Sequence, residues 1–200
     1  MVLAALLACA PANRVDGFVG DQQLSIASAH LTWLPGALGD DDLLVATLSS
    51  LPDSCGLERA FEQLAGQSDQ PDQLAAAWAA TYPPAFWQVD VVARVPGASW
   101  PSKGELWVGL PWDAFPEEPN TLFASFTEHR ALRDEAWWGG EAIEEDDYET
   151  VWFSDEGTAL WRAGTPSQHA RGRFNTFVAD GEGVRDGLVE VFFDVSVCPP

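Results

Sequence analysis

The sequence is poor in positive charge, and this shortage excludes one class of partner. It contains 10 lysines and arginines against 31 aspartates and glutamates, which gives a formal net charge of −21 at pH 7. A surface of this sign repels the phosphate backbone of nucleic acids. We therefore expect no nucleic-acid partner, and we interpret most of the acidic excess as solvated surface that keeps the protein soluble.

Long apolar runs are also scarce. After the first eight residues, no stretch approaches the roughly 18 apolar residues of a membrane-spanning helix. The opening segment MVLAALLAC, residues 1–9, is too short to span a membrane and carries no Lys or Arg. Its apolar run ending in small residues is nevertheless typical of the end of a secretory signal peptide.

The last four residues of this segment, Leu6-Leu7-Ala8-Cys9, resemble the lipobox of bacterial lipoproteins. In that class the signal peptide is cleaved before the cysteine, and acyl chains on the cysteine anchor the protein. The resemblance implies that residues 1–8 are removed, that Cys9 is lipidated and that residues 9–20 form a tether. It also implies export to the outer membrane or cell surface. The alternative is an ordinary apolar N-terminus with an unrelated cysteine.

Only three cysteines occur in the chain. Setting Cys9 aside leaves Cys55 and Cys198, and a disulfide is the default state of such a pair in an oxidising compartment. This bond closes a loop of about 140 residues and contributes about 4 kcal/mol in the chain-entropy model. The alternative is two buried free thiols. Neither cysteine has the flanking ligand spacing of a metal site.

Alternation of apolar and polar residues is the clearest structural signal. In LVEVFFDVSV, residues 188–197, every second residue is Val or Phe, which is the period of a half-buried strand. With GRFNTFVA, residues 172–179, and the Gly/Asp-rich turn 180–187, it predicts an antiparallel hairpin. The whole pattern predicts one all-β domain over residues 21–200, an antiparallel sandwich or a barrel-like sheet. Further strand segments are 24–33, 42–49, 86–95, 104–112, 121–129, 148–154 and 157–164.

One region has helical periodicity instead. Segments 55–67 and 71–83 are alanine-rich, with apolar residues at three- and four-residue spacing, and prolines bound the second segment. Asp53 or Ser54 is suited to cap the first helix. We therefore predict a one- or two-helix insertion at residues 54–82.

The order of these features resembles that of a class of uncharacterised bacterial lipoproteins. These have a lipobox, a Leu-Ser-x-x-Pro-x-x-Cys segment, a helical insertion and a last β-hairpin followed by a cysteine. The resemblance covers nearly the whole chain, and it implies a fold and a location but no activity. The matching residues are Leu48, Ser49, Pro52, Cys55, Gly172, Phe174, Gly187 and Cys198.

No motif in the sequence identifies a reaction. The chain has no G-x-S-x-G segment and no nucleotide-binding glycine loop. We interpret the three histidines, His30, His129 and His169, as surface or satisfied core residues. A hydrolase that acts through a pair of carboxylates is an alternative, because the separation of two acids cannot be read from a sequence.

The turn near the C-terminus offers candidate ligands for one cofactor, Ca²⁺. Asp180, Glu182 and Asp186 lie in a glycine-containing turn, and Ca²⁺ binds six to eight oxygens of such groups. The spacing does not match an EF-hand, and a hairpin turn needs the glycines anyway. A solvated acidic turn is the alternative.

Ten tryptophans are the most unusual feature of the composition. Trp100 and Trp112 lie in Pro-flanked stretches, and one of the adjacent Trp137 and Trp138 must point outward if they lie in a strand. Exposed aromatic rings can bind a sugar or a peptide, whereas the alternative is that they fill the core. The sequence thus predicts a lipid-anchored, non-enzymatic binding or structural module of unknown ligand, and a module that binds a glycan or protein ligand through exposed tryptophans is the alternative.

Overall fold

The structure, a computed structural model, describes residues 13–66, 70–96, 104–109, 121–130, 149–163 and 169–198. These ranges contain nine strands and two helices. The strands are β1 (Arg14–Gly17), β2 (Ser28–Leu38), β3 (Asp41–Ser49), β4 (Ala85–Pro96), β5 (Gly104–Gly109), β6 (Thr121–Arg130), β7 (Glu149–Ala163), β8 (His169–Ala179) and β9 (Arg185–Ser196). The helices are α1 (Ser54–Ala65) and α2 (Pro71–Thr81).

All nine strands belong to one mixed sheet. Their order is β1-β9-β8-β7-β5-β6-β4-β3-β2, and β7 also pairs with β6. Strands β5 and β6 run parallel, and the other neighbouring pairs are antiparallel. Val197, directly after β9, forms a bridge with Leu31 of β2, so the sheet curls until strands near its two ends meet.

The predicted all-β fold with a helical insertion is confirmed. The described strands form one curled sheet instead of two stacked sheets, so the barrel-like alternative fits this architecture better than the sandwich. Both helices lie between β3 and β4, within the predicted insertion at residues 54–82. Among the described residues, neither helix has the length and apolar character needed to cross a membrane.

The start of the domain differs from the expected boundary at residue 21. Strand β1 lies within the segment 9–20 that was expected to be a tether, and it pairs with β9. Val15 and Val19 are buried in the core. The folded domain therefore includes β1, and any tether from Cys9 is shorter than predicted.

One face of the curled sheet holds the hydrophobic core. The predicted alternation in β9 is confirmed, because Val189, Val191, Phe193 and Val195 are all buried, while Val197 lies at the edge with 36% of its surface exposed. The predicted hairpin is also confirmed, since β8 pairs antiparallel with β9 along its length. The largest buried side chains are Phe126, Phe174, Phe193, Leu31, Leu44, Leu48 and Leu122.

A glycine in β8 makes room for one of these core rings. Gly172 lies opposite Phe193 in the β8–β9 register. A methyl group at Gly172 would lie 2.2 Å from the ring of Phe193, well inside van der Waals contact. The ring therefore occupies the space that a side chain at position 172 would need.

We predict that Gly172→Ala lowers the free energy of unfolding by about 1–3 kcal/mol, because the buried Phe193 ring must move out of its packed position. Urea unfolding measures the change. Gly181→Ala is the matched control, since nothing lies within 4 Å of a methyl group there. Equal unfolding midpoints for the two variants would contradict the packing argument.

Candidate functional site

The outer face of β2, β3 and β4 carries a band of polar residues. The strand register aligns His30, Thr47 and Asp90 across these strands, on the face opposite the apolar core. Thr47 Oγ1 donates a hydrogen bond to Asp90 Oδ1 at 2.7 Å, and Gln88 Nε2 donates to Asp90 Oδ2 at 2.7 Å. These side chains form a hydrogen-bonded polar surface, which we call the floor.

Helix α1 begins beside this floor, and its first residues hold it there. Asp53 caps the helix, because its side chain accepts a hydrogen bond from the backbone N–H of Gly56 at 3.0 Å. The backbone N–H of Ser54 donates to Ser28 Oγ at 3.0 Å, and Ser28 Oγ donates to Ser54 Oγ at 2.9 Å. The start of the helix is thereby joined to β2.

The predicted disulfide is confirmed at the next residue of the helix. Cys55 and Cys198 are bonded, with Cα atoms 5.9 Å apart and a sequence separation of 143. The bond joins the first turn of α1 to the segment that follows β9. It therefore ties the helical insertion to the end of the sheet, and the free-thiol alternative does not apply.

His30 contacts two residues of α1. Its Nδ1 lies 3.0 Å from Ser54 Oγ, and its Nε2 lies 2.7 Å from Glu58 Oε2. The imidazole is buried, and the carboxylate lies off the direction in which an Nε2–H would donate, so the contact is close but poorly aligned. Contact with His30 lowers the pKa of Glu58, against the opposing effect of its partial burial.

A serine that contacts a histidine, which in turn contacts a carboxylate, is the arrangement used in nucleophilic catalysis. An acyl-transfer site also needs free donors for the oxyanion. Two backbone N–H groups at this helix start, those of Ser54 and Gly56, already donate to Ser28 and Asp53. The contacts therefore serve first to attach α1 to the sheet.

The residues around His30 are poorly suited to bind a metal ion. Within the described ranges, one set of three potential ligand atoms lies within 4.8 Å of one another, on His30, Glu58 and Cys198. The sulfur of Cys198 is bonded to Cys55. The two ligands that are left are fewer than the three protein ligands typical of a catalytic zinc.

The predicted Ca²⁺ ligands are not brought together into such a set. Asp180, Glu182 and Asp186 lie in the turn between β8 and β9 or at the start of β9. Asp180 Oδ1 accepts hydrogen bonds from the backbone N–H groups of Glu182 and Val184, at 3.0 and 2.8 Å. Its carboxylate thus shapes the hairpin turn.

Aromatic side chains form the walls of a pocket of about 300 Å³ between the two helices and the floor. Phe61 of α1 and Trp78 of α2 meet at 84°, with ring centroids 5.4 Å apart. The ring of Tyr82, at the end of α2, lies 4.3 Å from that of Trp78. His129 of β6 also lines the pocket and stacks on Phe86 at 4.3 Å.

The electrostatic character of this pocket is negative. Glu58 and Glu62 both line it, and none of the described residues that line it is a lysine or an arginine. Burial lowers the pKa of His129 to about 4, so this side chain is neutral at pH 7. Burial, together with the charges of Glu58 and Glu62, raises the pKa of Tyr82 to about 12.

The tryptophans predicted to bind a ligand, Trp100, Trp112, Trp137 and Trp138, lie outside the described residues, as does Cys9. The pocket instead uses Trp78, which the sequence pattern placed within a helix. The i, i+3 and i+4 spacing of Glu58, Phe61 and Glu62 was the one local signal of a mixed aromatic and acidic helix face.

Comparison with protein-family models, with curated proteins and with solved structures gives no match for this chain.

Removal of the disulfide tests how strongly it stabilises the domain. We expect a Cys55→Ser/Cys198→Ser variant to lose about 4–5 kcal/mol of unfolding free energy, because the unfolded chain regains the entropy of a 143-residue loop. Denaturant unfolding measures the loss. Reductant should destabilise the parent protein and leave the variant unchanged; the same response in both would contradict this role.

The buried His129 predicts a specific loss of stability in acid. The unfolded chain takes up a proton near pH 6.5 and the folded chain only near pH 4, so acidification from pH 7 to pH 4 favours unfolding. We expect His129→Phe, which keeps an aromatic ring against Phe86, to remove roughly 2–3 kcal/mol of this pH-dependent loss. Unfolding curves at both pH values for parent and variant measure the difference, and parallel losses would contradict it.

Proposed function

We propose that the protein is an exported, lipid-anchored binding module whose ligand site is the pocket between the helical insertion and the sheet. The observation that carries this proposal is a concave space of about 300 Å³ with aromatic walls and a polar floor. Ligand sites typically combine apolar and aromatic walls with a few placed polar groups, and begin at about this volume.

The elements that form this pocket are held in fixed positions. Its residues come from α1, from α2 and its C-terminal end, and from four neighbouring strands, and contacts of several kinds hold them. The disulfide fixes the start of α1, while Trp78 packs against Phe86 and His129 on the sheet. A preorganised site of this kind loses little conformational freedom when a ligand binds.

Export and anchorage are supported by two separate features. The segment Leu6–Cys9 resembles a lipobox, and disulfides such as that of Cys55 with Cys198 persist in oxidising compartments. Acyl chains on Cys9 would hold the folded domain near a membrane surface.

The anchor is tested by expressing the full chain in a bacterium and measuring the intact mass of the protein in the membrane fraction. We expect a chain that begins at an acylated Cys9. Cys9→Ser should release the protein from the membrane fraction without changing its thermal unfolding. An unmodified Cys9 with residues 1–8 still attached would refute the anchor.

The pocket is tested by titrating glycans, short peptides and small charged metabolites while the tryptophan fluorescence and the melting temperature are followed. At least one class of compound should raise the melting temperature. Glu62→Trp, which places a large ring at the pocket lining, should abolish this shift. Leu64→Trp is the matched control, on an exposed position of the same helix. Hits retained by Glu62→Trp, or no hit at all, would overturn the proposal.

A hydrolase is the second candidate function, favoured by the contacts of His30 with Ser54 and Glu58. In this mechanism Ser54 Oγ attacks an ester carbonyl while His30 Nδ1 accepts its proton; the ester C–O bond then breaks, the alcohol leaves with that proton, and water hydrolyses the acyl-serine. A fluorophosphonate probe should then add its phosphonyl group to Ser54 with loss of fluoride, and Ser54→Ala should prevent the adduct. An unmodified protein would favour the binding module.

The carboxylate-pair hydrolase has less support. It needs a general acid with a raised pKa in the pocket, but the pKa of Glu58 is lowered. Asp90 does have a pKa raised by burial, yet its two carboxylate oxygens accept hydrogen bonds from Thr47 and Gln88 in the floor.

A further inference from the structure

We infer that the pocket selects a ligand with a compact organic cation, an alkylammonium or quaternary ammonium group. This inference rests on the proposed function of the pocket as a ligand site, and it adds the chemical class of the ligand. Three independent features of the pocket support it: the arrangement of its rings, the sign of its charges and the field of the whole chain.

The rings provide the surfaces that organic cations prefer. A cation is attracted to the face of Trp, Tyr or Phe within about 6 Å of the ring centroid, and more strongly when water is excluded. Phe61 and Trp78 meet nearly at right angles, and Tyr82 lies next to Trp78 at a tilt of 39°. Three π systems of different orientation therefore border one small space, and all three line the pocket.

Two carboxylates line the pocket, Glu58 and Glu62, and of these Glu58 lies against His30. Glu58 and Glu62 are one helical turn apart on α1, so they lie on the same side of the helix. Both acids act on the Tyr82 hydroxyl electrostatically, which places their charges near the aromatic wall. His129 is neutral at pH 7 because it is largely buried, so it does not offset them.

The charge of the whole chain acts in the same direction. A net charge of −21 raises the local concentration of cations around the protein and lowers that of anions. An anionic ligand would meet repulsion both in approach and at Glu58 and Glu62. A neutral ligand could use the rings but would gain nothing from the negative field.

The inference is tested with choline and with 3,3-dimethylbutan-1-ol, which has the same shape but a carbon in place of the charged nitrogen. Isothermal titration of the soluble Cys9→Ser protein should show choline binding at least tenfold tighter than the uncharged alcohol. Added salt should weaken choline binding and leave the alcohol nearly unaffected.

Two variants separate the charge from the rings. Glu62→Gln should weaken choline binding several-fold and leave the alcohol unchanged, whereas Trp78→Leu should weaken both compounds. Glu182→Gln is the matched control for charge, because it removes one acid from an exposed turn that does not line the pocket, and it should leave choline binding as in the parent. A folded state equal to that of the parent is checked by far-UV circular dichroism.

The possible failures are distinguishable. If the alcohol binds as tightly as choline and Glu62→Trp blocks both, the pocket is a ligand site but its selection for a cation is refuted. If choline binding survives Glu62→Trp, the cation binds elsewhere and the inference is wrong. If neither compound binds while another class of ligand does, the inference fails and the proposed function stands; if nothing binds, both fail.

Discussion

The attachment of the first turn of α1 is the constraint on which the pocket depends. Ser54 is hydrogen-bonded to Ser28, Cys55 is disulfide-bonded to Cys198, and Glu58 lies against His30. These contacts differ in kind, and they fall within five consecutive residues of one helix. Because α1 supplies Phe61 and both acids of the pocket, any loosening of this turn displaces an aromatic wall and the charges together.

The polar residues of the floor stabilise the folded state less than well-packed apolar residues would. Buried polar groups must find hydrogen-bond partners, and a well-packed apolar surface is usually at least as stable. Here Asp90 has two donors, Thr47 and Gln88, and still has a pKa raised by burial. An apolar residue at this position would pack α1 and α2 more simply. Polar groups under the helices are, however, what the ligand site proposed above requires.

Local periodicity explains which parts of this structure could be predicted. The alternation in β9 and the two helices follow from short-range sequence patterns, and the Cys55–Cys198 bond follows from the pairing of the two cysteines that are left when Cys9 is set aside. The parallel pairing of β5 with β6 could not be predicted in this way, because contacts between residues distant in sequence determine which strands pair. Strand β1 is four residues long and too short for a visible period. The pocket joins Trp78 to His129, and no local signal links them.

The same alternation that predicts the strands also separates the site from the core. Along β4, Val89 and Val91 point into the core, whereas Gln88 and Asp90 belong to the floor. The pocket thus lies on the outer face of the sheet, and the core is completed without it. Because substitutions at distant, unconnected sites are close to additive, the ligand preference of the helical insertion can change with little effect on the packing of the sheet. If the pocket is the ligand site proposed above, the side chains of α1 and α2 are therefore the part of it that can change most independently of the core.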